Sequence, residues 1–203
     1  MLWTSPVAEL PAVAVVCHPH PLFGGTMHNK VVFQAAKALH RLGIPVLRFN
    51  FRGAGMSEGV HDRGLGERDD VRAAINYLAS EFAGRPIIVG GFSFGASVGL
   101  RVGCEDARVV ELIGLGTPVN AADFSYLRTC LKPKLIIVGD RDKFAAREKL
   151  EVQSAEWAEP KRLVIVDGAD HFFAGKLSEV GRAIGEWLAE RWPRPHAPTC
   201  AGD

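Results

Sequence analysis

The run Ile87-Ile88-Val89-Gly90, followed at once by Gly91-x-Ser93-x-Gly95-Ala96-Ser97, leaves few folds open to this chain. Its apolar, β-branched part reads as a buried strand, and the small residues after Ser93 read as the start of a helix. A serine at the tip of so tight a reversal sits in strained backbone. Glycines on either side remove the side chains that would collide where strand and helix cross. The helix also points its free N–H groups and the positive end of its dipole back at Ser93. In that setting the G-x-S-x-G pattern presents a nucleophile rather than only a turn.

The rest of the chain repeats the same unit. Continuously apolar runs at 13–17, 44–51, 109–116, 135–139 and 163–166 read as strands. Helical spacing follows at 29–41, from Glu67 to beyond Leu78, at 96–103, 144–158 and 173–192. Apolar strands alternating with helices predict an α/β fold with a mostly parallel sheet covered on both faces. Right-handed crossovers then bring every strand's C-terminal end to one edge, where ligands collect. Residues 1–192 read as one domain, and the proline-rich, polar stretch 193–203 as a disordered tail.

Composition narrows the partners. A formal net charge of +1 with no long run of one sign points to no nucleic acid and no membrane surface. Pro6, Glu9 and Pro11 interrupt the N-terminal apolar residues, against a signal peptide, and no stretch has transmembrane length. The four cysteines, Cys17, Cys104, Cys130 and Cys200, have neither metal-site nor disulfide spacing, which favours a reducing cytoplasm.

Five predicted loops follow strand C-termini, and they carry His18 and His20, Arg52, Ser93, Asp140 and Asp142, and His171. A serine needs an imidazole to take its proton, and the imidazole needs a carboxylate to fix its tautomer. His171 alone of the seven histidines follows the last strand. His40, His61 and His196 read as solvated bystanders. Of the acids, Asp142 is favoured over Asp140, which directly follows Gly139 and suits an Asx turn; Asp170 reads as a turn former. One oxyanion donor is the Phe94 N–H. The other comes from the 18–25 loop, where Pro19 and Pro21 have no N–H, leaving His20, Leu22 or Phe23, with Leu22 and Phe23 preferred. His20, Phe23, Val119 and Phe173, together with Phe94, are candidates for the substrate wall. His18 and His20 lack a third ligand at a fitting spacing, so no metal is expected. The 18–25 loop lacks G-x-G-x-x-G, which disfavours a nucleotide site.

The order Ser93, Asp142, His171 is that of the α/β-hydrolases. The stretch His18-Pro19-His20-Pro21-Leu22-Phe23-Gly24-Gly25, with Arg48-Phe49-Asn50-Phe51-Arg52-Gly53, Gly91-Phe92-Ser93-Phe94-Gly95 and Gly168-Ala169-Asp170-His171, resembles a small bacterial subfamily of lidless members. The resemblance spans about Val13 to Leu188. It implies the α/β-hydrolase fold, a Ser93–Asp142–His171 triad, ester hydrolysis and no cofactor. Relatives begin with a longer hairpin than Met1–Ala12 allows, so shortened first strands are expected, and an open sheet edge would favour a homodimer. Only residues 117–134 separate two central strands, too few for a cap, which predicts an open cleft suited to short-acyl esters. Thioester or amide cleavage by the same triad, or a silent small-molecule-binding homologue, are the alternative readings.

Overall fold

A computed structural model describes residues 1–4 and 12–192. The expected tail, His196 and Cys200 lie outside the described residues. Among the described residues seven strands form one sheet: β1 (Leu2–Trp3), β2 (Val13–Cys17), β3 (Val46–Arg48), β4 (Ile87–Phe92), β5 (Val109–Leu115), β6 (Lys134–Gly139) and β7 (Lys161–Val166). Their order is β1-β3-β2-β4-β5-β6-β7. Every pairing is parallel except that of β1, whose Leu2 and Trp3 run antiparallel to Leu47 and Val46 of β3. Among the described residues one two-residue strand precedes β2, and the expected shortening of the first strands falls largely on residues 5–11, outside the described residues.

Among the described residues five helices cover the sheet: α1 (Lys30–Arg41), α2 (Gly66–Glu81), α3 (Phe94–Glu105), α4 (Arg147–Ala155) and α5 (Leu177–Arg191). Side chains alternate across each strand, so the core divides in two. Val13, Val15 and Cys17 pack with Val71, Ile75 and Leu78 of α2, Val98 and Val102 of α3, and Leu150 of α4. Ala14 and Val16 face the other way, against Val32, Ala36 and Leu39 of α1 and Val180, Ile184 and Leu188 of α5. β2, β4 and β6 are buried throughout, as continuously apolar strands between two helix layers must be.

Three elements are shorter than their apolar patterns predict. β3 ends at Arg48 because the next residues leave the ladder: the Phe51 N–H donates to His18 Nε2 at 2.9 Å instead of to a neighbouring strand. α4 starts at Arg147 rather than at 144, since the N–H groups of Phe144 and Ala145 are taken by Asp142 Oδ1. α5 starts at Leu177 rather than at 173. Asp170 Oδ1 accepts from the N–H groups of Phe172 and Ala174, and Phe173 between them has a left-handed φ of 53°. Between β5 and β6 the chain forms only a single turn of 3-10 helix, Ser125–Arg128, so among the described residues no cap is inserted over the C-terminal edge of the sheet.

Candidate active site

Ser93 stands between β4 and α3 with φ 54° and ψ −119°, a conformation that side-chain-bearing residues rarely adopt. Its N–H donates to the Leu115 carbonyl of β5 at 2.9 Å, which fixes the tip of the turn to the sheet. A Cβ on Gly91 would overlap the Gly95 carbonyl, and one on Gly95 would overlap the carbonyls of Cys17 and His18. The two glycines therefore let α3 cross both its own strand and the end of β2.

The loops after β6 and β7 meet at a second close approach, where a Cβ on Gly139 would strike the Ala169 carbonyl. The Arg141 N–H donates to that same carbonyl at 3.0 Å. This contact sets Asp142 beside His171. Asp142 Oδ2 lies 2.8 Å from His171 Nδ1, and His171 Nε2 lies 2.9 Å from Ser93 Oγ. A carboxylate only accepts, so Nδ1 carries the proton and Nε2 is left to accept from the Ser93 hydroxyl. The other Asp142 oxygen accepts from the N–H groups of Phe144 at 2.8 Å and Ala145 at 3.2 Å. With both oxygens engaged and its side chain fully buried, this carboxylate is held in one orientation. Gly116, with φ 50°, gives the imidazole room: a Cβ there would sit 3.2 Å from the ring. The rings of Phe144, Phe92 and Phe172 surround it at 4.7, 5.0 and 5.3 Å.

The turn expected at Asp140 is thus built on Asp142 itself, whereas Asp170 serves as a turn former as its position predicts. The loop donors preferred from sequence are occupied. Leu22 N–H donates to His20 Nδ1 at 3.3 Å and Phe23 N–H to the His20 carbonyl at 3.1 Å. Among the described residues, the His20 and Phe94 N–H groups have no acceptor.

His18 is a tether. It is fully buried; its Nδ1–H donates to the Pro19 carbonyl at 2.6 Å, and its Nε2 accepts from Phe51 N–H. Burial pushes this ring down to about 4, with the Pro19 bond opposing in part. Among the described residues no group of three His, Cys, Asp or Glu side chains is placed to hold a metal ion.

An open cleft of about 710 Å³ leads to Ser93 and His171. His20, Phe23 and Phe94 line it, as expected from sequence. Val119 and Phe173 do not: both are buried in the core, on opposite faces of the sheet. Phe172, 56% exposed, takes the wall position expected of Phe173, and Phe144 adds to the same rim. The exchange follows from the left-handed turn at Phe173, which sends its ring inward and leaves its neighbour outside.

His61 is the largest departure from the sequence reading. It is no solvated bystander: its ring lies 4.6 Å from that of His20 and 5.4 Å from that of Phe94, on the cleft wall. Its Nδ1 is 2.7 Å from Oε1 of Glu67, whose side chain is fully buried. Burial raises the Glu67 carboxyl, but the N–H groups of Asp62, Glu67 and Gly64 and the nearby His61 outweigh it and leave it below its usual value. His20 is lowered by burial first and by His61 second, with Glu67 opposing. No periodic signal could have placed His61 here. It rides on a loop that turns at Gly64, whose φ of 89° is one that residues with a side chain rarely adopt.

A family profile described as an alpha/beta hydrolase domain matches residues 14–188. An uncharacterized protein of Rickettsia prowazekii is 36% identical over 194 residues, covering 91% of this chain and 80% of its own. Among solved structures, an alpha-beta serine hydrolase homologue from Coxiella burnetii is similar at a TM-score of 0.88 and 38% identity, over 93% of this chain and 90% of that one. A serine hydrolase without lid from Xanthomonas campestris is similar at 0.86 and 35%, over 96% and 89%.

Proposed function

The chain belongs to the alpha/beta hydrolase family, and from that premise we propose that it is a serine hydrolase cleaving small carboxylic esters through an acyl-enzyme on Ser93. The observation that supports this reading most is the continuous line of hydrogen bonds from Ser93 Oγ through His171 to Asp142. In the proposed mechanism His171 Nε2 takes the Ser93 proton as Oγ attacks the ester carbonyl. Asp142 keeps Nδ1 protonated and offsets the imidazolium charge. The carbonyl oxygen, now an oxyanion, is held by the N–H groups of Phe94 and His20, which have no acceptor among the described residues. His171 then gives its proton to the departing alkoxide. A water enters, loses its proton to His171 and attacks the acyl carbon, and Ser93 leaves with that proton.

The absence of a cap between β5 and β6 supports water access and short acyl groups. Three described cysteines are free thiols, in keeping with a cytoplasmic setting. The test is turnover of p-nitrophenyl acetate, butyrate and decanoate by the wild type and Ser93→Ala. We expect the two short esters to be the better substrates, and the variant to lose at least about 10⁴-fold in kcat. Undiminished turnover by Ser93→Ala would overturn the reading.

A further inference from the structure

Resting on that hydrolase reading, we propose that the cleft takes esters carrying a second, anionic oxygen group remote from the scissile carbonyl, and that Arg63 and Arg68 receive it. Three arginines, Arg63, Arg68 and Arg101, line the same cleft as Ser93, although the chain as a whole has a net charge of only +1. Arg101 is already matched: it pairs with Asp123 at 3.0 Å and lies over the Tyr126 ring. Among the described residues, Asp123 is the only carboxylate on the cleft wall. Arg63 and Arg68 have no ion pair or side-chain hydrogen bond among the described residues.

Both stand where local physics opposes them. Arg68 is in the first turn of α2, where the helix dipole disfavours a cation. Arg63 has a left-handed φ of 49°, which residues with a side chain rarely adopt. Unmatched guanidinium groups in a concave wall are receptors for carboxylate or phosphate oxygens. His61 stands apart from the two arginines, its Nδ1 lying 2.7 Å from the buried Glu67 carboxylate. The cleft, at about 710 Å³, is also far larger than a short acyl group needs. The remaining space leads to cations.

The anion could belong to the acyl part or to the alcohol, and two substrate pairs separate these sources. One sets p-nitrophenyl hydrogen adipate against p-nitrophenyl hexanoate; the other sets 4-carboxyphenyl butyrate against phenyl butyrate. Each pair is assayed at low salt with the wild type and the double variant Arg63→Gln/Arg68→Gln. In parallel, calorimetry compares adipate with hexanoate binding to Ser93→Ala, with and without the two arginine changes, a readout that needs no catalysis. We expect the anionic member of at least one pair to be favoured by about 10-fold in kcat/KM, chiefly through KM, as one charge-assisted contact allows. That ratio should fall towards unity in the double variant and at about 0.5 M NaCl. Adipate should bind Ser93→Ala more tightly than hexanoate, and lose that advantage with the arginines. Normal turnover of the neutral esters with no anionic preference, and no selective adipate binding, would overturn the anion site while leaving the hydrolase reading intact. Arginine-dependent adipate binding without cleavage of any ester would keep the anion site and remove the hydrolase. Neither binding nor cleavage would remove both.

Discussion

Asp142 divides its two oxygens between two tasks. Oδ2 faces His171, and Oδ1 holds the backbone of Phe144 and Ala145. An asparagine would keep the shape but could present an N–H to Nδ1, which moves the imidazole proton to Nε2 and blocks acceptance from Ser93. Asp142→Asn should therefore fold like the wild type and lose about 10⁴-fold in kcat on p-nitrophenyl butyrate. Loss of less than about tenfold would show that the carboxylate does not set the tautomer. His18 makes a different prediction, one of stability. Its folded ring is held down to about 4, against 6.5 when exposed. Between those values the unfolded chain binds the extra proton and the folded chain does not. The contribution is complete above pH 6.5 and is lost as pH falls towards 4, to a total of about 3 kcal/mol. Urea unfolding at pH 7 and pH 4.5 should show a steeper loss for the wild type than for His18→Asn, which lacks the titrating ring. Equal losses would contradict the buried neutral histidine.

The strand–turn–helix unit around Ser93 depends on backbone crossings that only glycine permits. In Gly95→Ala the new methyl group would meet the carbonyls of Cys17 and His18, which belong to the neighbouring strand end and cannot move alone. Chemical denaturation should show a loss of at least about 2 kcal/mol, or no soluble protein. Gly185→Ala has open space at its Cβ and lies inside α5, so it should be neutral or stabilising. A soluble Gly95→Ala with unchanged stability would mean that α3 does not press on β2 as described. These elements were legible in the sequence because continuous apolar runs and the G-x-S-x-G spacing are local signals. The late starts of α4 and α5 were not. There Asp142 and Asp170 claim backbone N–H groups that a helix would otherwise order, a competition settled by side chains of the site. The same holds for β3, whose end is set by His18, more than thirty residues away in sequence.

In the whole molecule, parallel strands gather their C-terminal ends at one edge, and the loops there bring Ser93, Asp142 and His171 within hydrogen-bond reach. That convergence was legible because each residue follows a strand and the chain order is informative. The cleft wall was not. Val119 and Phe173 differ from true lining residues only in the direction their side chains take, which tertiary packing decides. His61 and Arg63 reach the cleft through a loop with no period. Active-site titration with a fluorophosphonate bears most directly on the proposed nucleophile, since it reads Ser93 whatever the natural substrate is. The folded wild type should take up the label stoichiometrically, with the adduct mapped to Ser93 by mass spectrometry, and Ser93→Ala should take up none. A folded, unlabelled wild type would contradict the activated serine and leave the cleft as a binding site.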